Sequence, residues 1–184
     1  MKALSPETYL ISLVSILFII AILVARQLLR VRKDESTLIK LEKGGASNST
    51  NSYELYELAS VQLKKRLYPQ ATGTLKKALK ELEGEPEEAK ALLENALGFS
   101  MAAENKFKEA IIHYRNAIKA KANYPVALNN LAFAKQKLLQ EDEAIEIYKN
   151  VLSIDPNNKT ASKQLNRIGK RDDKTNKNSN EKGF

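Results

Sequence analysis

The sequence predicts an all-α protein: an α-solenoid of three helical-hairpin repeats plus a capping helix, preceded by one N-terminal transmembrane helix. Three observations carry that expectation. Between Leu92 and Pro156 the chain says nearly the same thing twice at a step of 34 residues: Leu97-Gly98 recurs as Leu131-Ala132, Ala110 as Ala144, Tyr114 as Tyr148 and Ala117 as Val151. Thr8 to Ala25 is a run of 18 residues without a charge, dominated by leucine, isoleucine and valine. Beyond Pro156, Ala161, Leu165 and Ile168 recur at helical spacing on one face, with charges opposite.

Composition narrows the possibilities. With 43% hydrophobic and 28% charged residues the chain is globular rather than disordered overall. It has no cysteine, so no disulfide, thiolate nucleophile or cysteine-bound metal is available. A single histidine removes most metal sites and most acid–base schemes. The net charge of +8 is spread along the chain, and its 23 lysines outnumber 7 arginines. Together with frequent asparagine, that bias suits an A+T-rich genome such as an organelle's.

The apolar run comes first. As a helix, 18 residues span roughly 27 Å, close to the ~30 Å hydrocarbon thickness of a bilayer. Ser5-Pro6-Glu7 reads as an N-cap, a proline at the first helical position and an acid in the first turn. A secretory signal would have a shorter core and a basic start, whereas the basic cluster here comes after the core. A buried core helix would need apolar partners that the rest of the chain lacks. Residues 1–33 are therefore expected to form a membrane anchor with a basic flank, crossing the bilayer at residues 8–25. Arg26, Arg30, Arg32 and Lys33 lie on the far side, so the positive-inside rule puts the rest of the chain on the cytoplasmic or stromal face.

Residues 34–51 are expected to link anchor and repeats. Val31 to Lys43 still carries Leu38, Ile39 and Leu41 and reads as the anchor helix running out of the membrane. Gly44-Gly45-Ala46-Ser47-Asn48-Ser49-Thr50-Asn51 stops it, and a flexible stretch of that length reaches roughly 15–17 Å.

The repeat domain is expected over residues 52–171. A period of 34, with a small residue followed four later by an aromatic and three later by another small one, resembles the tetratricopeptide repeat. Each such hairpin cannot bury its apolar face alone, so neighbours stack. An earlier unit has Leu58-Ala59 at the place of Leu97-Gly98, Ala71 at that of Ala110, Leu75 at that of Tyr114 and Ala78 at that of Ala117. Its distance to the next unit is 39, so five residues are inserted, which the sequence places in the turn at Glu83-Gly84-Glu85-Pro86-Glu87. The repeats are expected at about 52–85, 91–124 and 125–158, with a capping helix over 159–170 and a disordered tail over 172–184. Gln62 and Met101 depart from the repeat pattern, which often has tyrosine there.

Nothing in the sequence assembles a catalytic constellation, a metal site or a cofactor-binding site, so a non-enzymatic protein is expected. His113 falls at the position of Ile147, expected on the outer, convex side, with no serine or acid placed to form a triad. No glycine-rich phosphate loop occurs, and Glu87-Glu88 and Glu141-Asp142-Glu143 read as first-turn acids suited to the helix dipole. Lys64-Lys65-Arg66 and Lys76-Lys77 lack the interleaved aromatics of a nucleic-acid surface, and no nucleic-acid partner is expected.

What remains is the concave groove in which this repeat binds peptides, lined by the first helix of each hairpin. Its second, fifth, ninth, twelfth and thirteenth positions are Tyr53, Tyr56, Ser60, Leu63 and Lys64; Leu92, Asn95, Phe99, Ala102 and Ala103; and Val126, Asn129, Phe133, Gln136 and Lys137. The expected protein-binding residues are Tyr53, Tyr56, Leu92, Asn95, Phe99, Val126, Asn129, Phe133 and Lys137. Aromatic surface would hold a peptide while Asn95 and Asn129 bond its backbone. Chaperone-binding members clamp a C-terminal carboxylate with lysine, asparagine and arginine at the second and sixth positions. Here those are Tyr53 and Glu57, Leu92 and Ala96, Val126 and Asn130, and only Asn130 matches.

Taken together, an anchor, the stretch Arg26-Gln27-Leu28-Leu29-Arg30-Val31-Arg32-Lys33, a short linker and three repeats resemble the membrane-anchored tetratricopeptide protein of cyanobacteria and algal plastids. Glu57 to Leu67, Asn95-Ala96-Leu97-Gly98-Phe99 and Ala127-Leu128-Asn129-Asn130-Leu131 carry the resemblance within the repeats. It implies a thylakoid protein with its repeats on the stromal side (cytoplasmic in a cyanobacterium). It further implies a scaffold whose partners are photosystem I subunits or assembly intermediates. The alternative is a general membrane-anchored receptor or co-chaperone of a bacterium or organelle. The lysine–asparagine bias and the start of the chain, without a transit peptide, fit a plastid-encoded member.

Overall fold

The computed structural model describes residues 6–45 and 49–181. Lys2, Ser5, residues 46–48 of the expected linker and residues 182–184 of the expected tail lie outside the described residues. Among the described residues every regular element is a helix: α1 (Pro6–Lys43), α2 (Ser52–Lys64), α3 (Tyr68–Lys80), α4 (Glu87–Ala103), α5 (Phe107–Ala120), α6 (Pro125–Lys137), α7 (Glu141–Ile154) and α8 (Lys159–Glu181). They fall into two units, Met1–Ala46 and Ser47–Phe184.

The first unit is α1. From Tyr9 to Val31 its side chains are exposed on every side, including Phe18 at 67% and Leu29 at 68%. A helix apolar all round belongs in a large core or in a bilayer. The stretch is long and apolar enough to cross a membrane by length and composition. The hydroxyls of Ser12 and Ser15 donate to the carbonyls of Tyr9 and Ile11, 2.8 Å each, so neither needs an outside partner. The helix also runs through most of the segment read as linker from residue 34. With no glycine or proline between Glu7 and Lys43, it stops only at Lys43, where Gly45 turns the chain at φ +79°.

The second unit is three hairpins and a cap. Asn51 starts α2, its side-chain oxygen accepting from the backbone N–H of Tyr53 at 2.9 Å and Glu54 at 3.3 Å. Pro69 and Pro125 stand in the first turns of α3 and α6, where a missing N–H costs nothing. Within each hairpin the turn passes through one left-handed residue at the same place: Arg66, Asn105 and Leu139, at φ 60°, 62° and 61°. That conformation normally favours glycine or asparagine.

The five inserted residues are not confined to a turn. α4 begins ten residues before Leu97, whereas α2 and α6 begin six before Leu58 and Leu131. Most of the insertion is therefore an extra turn of helix at the start of α4. Pro86 precedes its first residue, and Gly84, at φ +81°, redirects the chain into it. Glu87 and Glu88 then lie in a helical first turn.

Two apolar clusters hold the unit together. One joins Leu55, Ala59 and Leu75 to Leu97, Ala110, Tyr114 and Leu131; the other joins Leu128, Ala132 and Ala144 to Tyr148, Val151, Ala161 and Ile168. Alanines at 59, 71, 78, 110, 117, 132 and 144 are fully buried and let the helices close up. Gly98 is the extreme case. A Cβ there would stand 2.7 Å from the Tyr114 ring and 3.1 Å from the carbonyl of Ala110. α8 caps the stack through Ala161, Ile168 and the half-buried Leu165. It does not end near residue 170 but continues to Glu181, so most of the tail expected to be disordered is helical backbone. From Lys170 to Glu181 there is no glycine or proline to stop it.

Candidate functional site

The first helices of the hairpins, α2, α4 and α6, meet one another in succession as well as meeting their own partners, which makes them the inner layer of the stack. Their free faces carry the residues the sequence nominated. Tyr53, Leu92, Phe99, Val126 and Phe133 are exposed, Phe99 at 45% and Phe133 at 38%. Tyr56, Asn95 and Asn129 are half-buried, and Lys137 is exposed.

These residues divide between two hollows. Between the first and second repeats, Tyr53, Tyr56 and Leu92 surround an apolar pocket of about 150 Å³ with Leu82, Ala89 and Glu85. Leu82 and Glu85 come from the loop before the lengthened α4. Between the second and third repeats, Phe99, Phe133 and Lys137 line a hollow of about 300 Å³ with Asn105, Phe107 and Asn130. The Lys137 ammonium sits 5.3 Å from the Phe133 ring centroid, a cation–π contact that presents positive charge at the rim. Asn95, Val126 and Asn129 line neither hollow.

The rings are held rather than loose. Phe99 meets Tyr68 edge-on at 6.5 Å, and Phe133 meets Phe107 in the same geometry at 6.5 Å. Tyr68 and Phe107 open α3 and α5 and are one repeat apart. So each groove phenylalanine leans on the aromatic that starts the preceding hairpin's second helix. Sequence reasoning missed these two supports, although their spacing of 39 matches that of Leu58 and Leu97 and could have found them.

The amides behave differently from the expectation that they serve a bound backbone. Asn95 accepts from the Asn130 amide at 3.0 Å and donates to the Tyr124 hydroxyl at 3.5 Å. Asn129 donates to Asn158 at 3.1 Å. The Asn95–Tyr124 and Asn129–Asn158 bonds are one period apart, so the same amide position ties each of these helices to the residue just before α6 or α8. Of these two amides, only Asn129 keeps an atom without a partner among the described residues, its side-chain oxygen. Burial, with Tyr56 nearby, holds the Tyr124 phenol above its usual range, against the lowering effect of its bond with Asn95.

His113 is not free on an outer surface. Its Nδ1 lies 2.6 Å from Oε2 of Glu94, whose Oε1 accepts from Asn116 at 3.2 Å. Glu94 is buried, at 7% exposure, at the place of Leu55 and Leu128 in the other repeats. The sequence placed His113 outside from its equivalence to Ile147, and Glu94, two turns into α4, gave no sign of being its partner.

Comparison with known proteins agrees with this geometry. The tetratricopeptide repeat family matches residues 125–158. The chain is 30% identical over 131 residues to ycf37 of Cyanophora paradoxa, covering 71% of this chain and 76% of that one. The chain belongs to the ycf37 family. It is also 32% identical over 154 residues, 84% of its length, to the chloroplastic tetratricopeptide repeat domain-containing protein PYG7 of Arabidopsis thaliana. It spans only 51% of that relative's length. Among solved structures, the second tetratricopeptide domain of human RPAP3, in complex with an HSP70 peptide, superposes with a TM-score of 0.57 at 22% identity, covering 67% of this chain and 95% of that domain. That likeness is one of fold. This member of the ycf37 family is thus an all-α tetratricopeptide repeat protein with one apolar N-terminal helix.

Proposed function

We propose that this ycf37 relative is a non-enzymatic, membrane-anchored scaffold that binds protein partners in its groove and assists assembly or stability of photosystem I in the thylakoid. α1 is its single span, the repeats lie on the stromal side, and the partners are photosystem I subunits or assembly intermediates. The observation that carries the reading is the aromatic hollow between the second and third repeats, whose Phe99 and Phe133 are braced by Tyr68 and Phe107, in a repeat domain that comes after a helix with a long apolar stretch. Exposed rings fixed by edge-on neighbours lose little entropy on binding, which is what an anchor for a peptide requires. The kinship with a chloroplastic protein and a plastid protein supports the compartment. The photosystem assignment rests on the family resemblance carried by the anchor, the basic stretch and the repeats.

A general co-chaperone fits less well. Asn130, the one residue in the clamp pattern, already donates to Asn95.

The test is replacement of the native gene by Phe99→Ala with Phe133→Ala. Losing a central aromatic anchor costs about 2 kcal/mol or more, roughly thirtyfold in affinity. Photosystem I should fall while photosystem II is kept, with the variant folded by circular dichroism and resistant to carbonate extraction. Normal photosystem I with the folded variant would remove the groove from the account. Protease added to sealed thylakoids, whose outer surface faces the stroma, should remove the repeats, and full protection would reverse the orientation.

A further inference from the structure

α8 presents a second surface that the groove does not use. Its apolar side, Ala161, Leu165 and Ile168, packs onto the last repeat. On another face Lys159, Lys163, Arg167 and Lys170 recur at steps of four, four and three, so they stack in one row about 16–17 Å long. With Pro156, Asn157, Ser162 and Asn166 they line an open trough of about 680 Å³ into which, among the described residues, no carboxylate projects. All four cations are exposed, and among the described residues none is in an ion pair. Arg171, one step beyond, is by contrast joined to Glu141.

We propose that this row rests on anionic lipid headgroups and holds the repeat domain against the bilayer as a second, peripheral contact. The inference rests on α1 being a membrane anchor. Three features favour a lipid surface over a protein or nucleic-acid partner. The trough offers no aromatic or large aliphatic side chain, and specific peptide sites draw their affinity from such anchors. It likewise lacks the stacking rings of single-strand nucleic-acid sites. Three of its four cations are lysines, flexible point charges that match a fluid array of phosphates or sulfonates better than a fixed fork. Attachment through α1 keeps the repeat domain at the membrane, so a weak contact is sufficient. Because the apolar side of α8 is spent on the last repeat, the contact is electrostatic and sensitive to salt.

The repeat unit carries both apolar clusters within itself, so residues 49–184 can be examined without α1. The probe is vesicles of phosphatidylcholine with about one-third phosphatidylglycerol, read by flotation. The fragment should float with these at low salt, be released at high salt, and ignore pure phosphatidylcholine. Each of Lys163→Gln and Arg167→Gln should weaken binding about fivefold, the effect of one juxtamembrane cation. Lys108→Gln with Lys119→Gln removes as much charge from α5 as both of those changes together and should weaken binding far less than either one. Equal loss in that control, or no binding to anionic vesicles by a fragment with a native melting curve, overturns the proposal. So does tighter binding to poly-glutamate or to an oligothymidylate than to the vesicles. Failure of the anchor itself reads separately, as release of the full chain from membranes by carbonate.

Discussion

The second and third repeats share a backbone plan and differ in what they bury. Where the third has Leu128, Ala132, Ala134 and Ile147, the second has Glu94, Gly98, Ser100 and His113. Ser100 is fully buried, and its hydroxyl meets the Tyr68 carbonyl and the Thr72 hydroxyl, each at 2.8 Å, tying the second repeat to the first. At the corresponding junction of the third repeat, Ala134 simply packs. The third repeat keeps its own buried charge one residue on, where Lys135 reaches Glu143 at 2.8 Å. The lesson is that the stacking register is set by volume and periodicity. The buried polar groups Glu94, Ser100 and Lys135 are accepted inside because each finds a partner.

The largest expected effect breaks the polar side of that comparison. His113→Ala removes a partner from the buried Glu94 carboxylate and should cost about 1–3 kcal/mol in thermal or urea unfolding of the repeat domain. Replacing both, Glu94→Leu with His113→Ile, installs the third repeat's pair and should recover most of the loss. A single change without cost, or a double change worse than the single, would mean that the pair does not support the fold.

Next comes the close approach at Gly98. Alanine there must displace the Tyr114 ring, an overpacking cost of about 1–3 kcal/mol, against about 1 kcal/mol gained in helix propensity. We expect a net loss of about 1 kcal/mol for Gly98→Ala. Ala132→Gly should lose about 1–2 kcal/mol, through propensity and the lost packing of a fully buried methyl. Stabilisation by Gly98→Ala would show that Tyr114 yields freely.

The smallest effect concerns the two buried tyrosines. The Tyr148 hydroxyl has no partner among the described residues, so Tyr148→Phe should change stability by under about 1 kcal/mol, in the stabilising direction. Burial pushes its phenol up to about 12, from an ordinary value of 10.0. The folded state thus keeps a proton that the unfolded chain releases. Stability present below a pH of about 10 is lost as the pH rises toward 12. Urea melts at pH of about 9 and about 11 should therefore converge for Tyr148→Phe relative to the native protein. An unchanged alkaline loss would point to Tyr114, whose phenol burial also raises.

Most of the architecture was legible. The 34-residue step predicted the hairpins, the uncharged run predicted α1, and Ala161, Leu165 and Ile168 predicted the cap. Helix ends were less so, because the length of α1, α4 and α8 depends on the absence of a breaker rather than on a positive signal. Register placed Phe99 and Phe133 on the exposed faces of α4 and α6, where they lie, but it did not give their supports or the use of Asn95.

By itself the sequence determined the period, the number of repeats, the apolar span and the faces on which side chains fall, since each depends on spacing along one helix. Only the tertiary structure decided which polar groups meet. Glu94 with His113, Asn95 with Asn130 and Phe99 with Tyr68 join residues 19, 35 and 31 positions apart. Such pairs leave no local signature, because a hydrogen bond or ring contact between helices depends on how two surfaces are turned toward each other. Periodicity brings helices together, and the contact geometry settles which side chains remain for a partner.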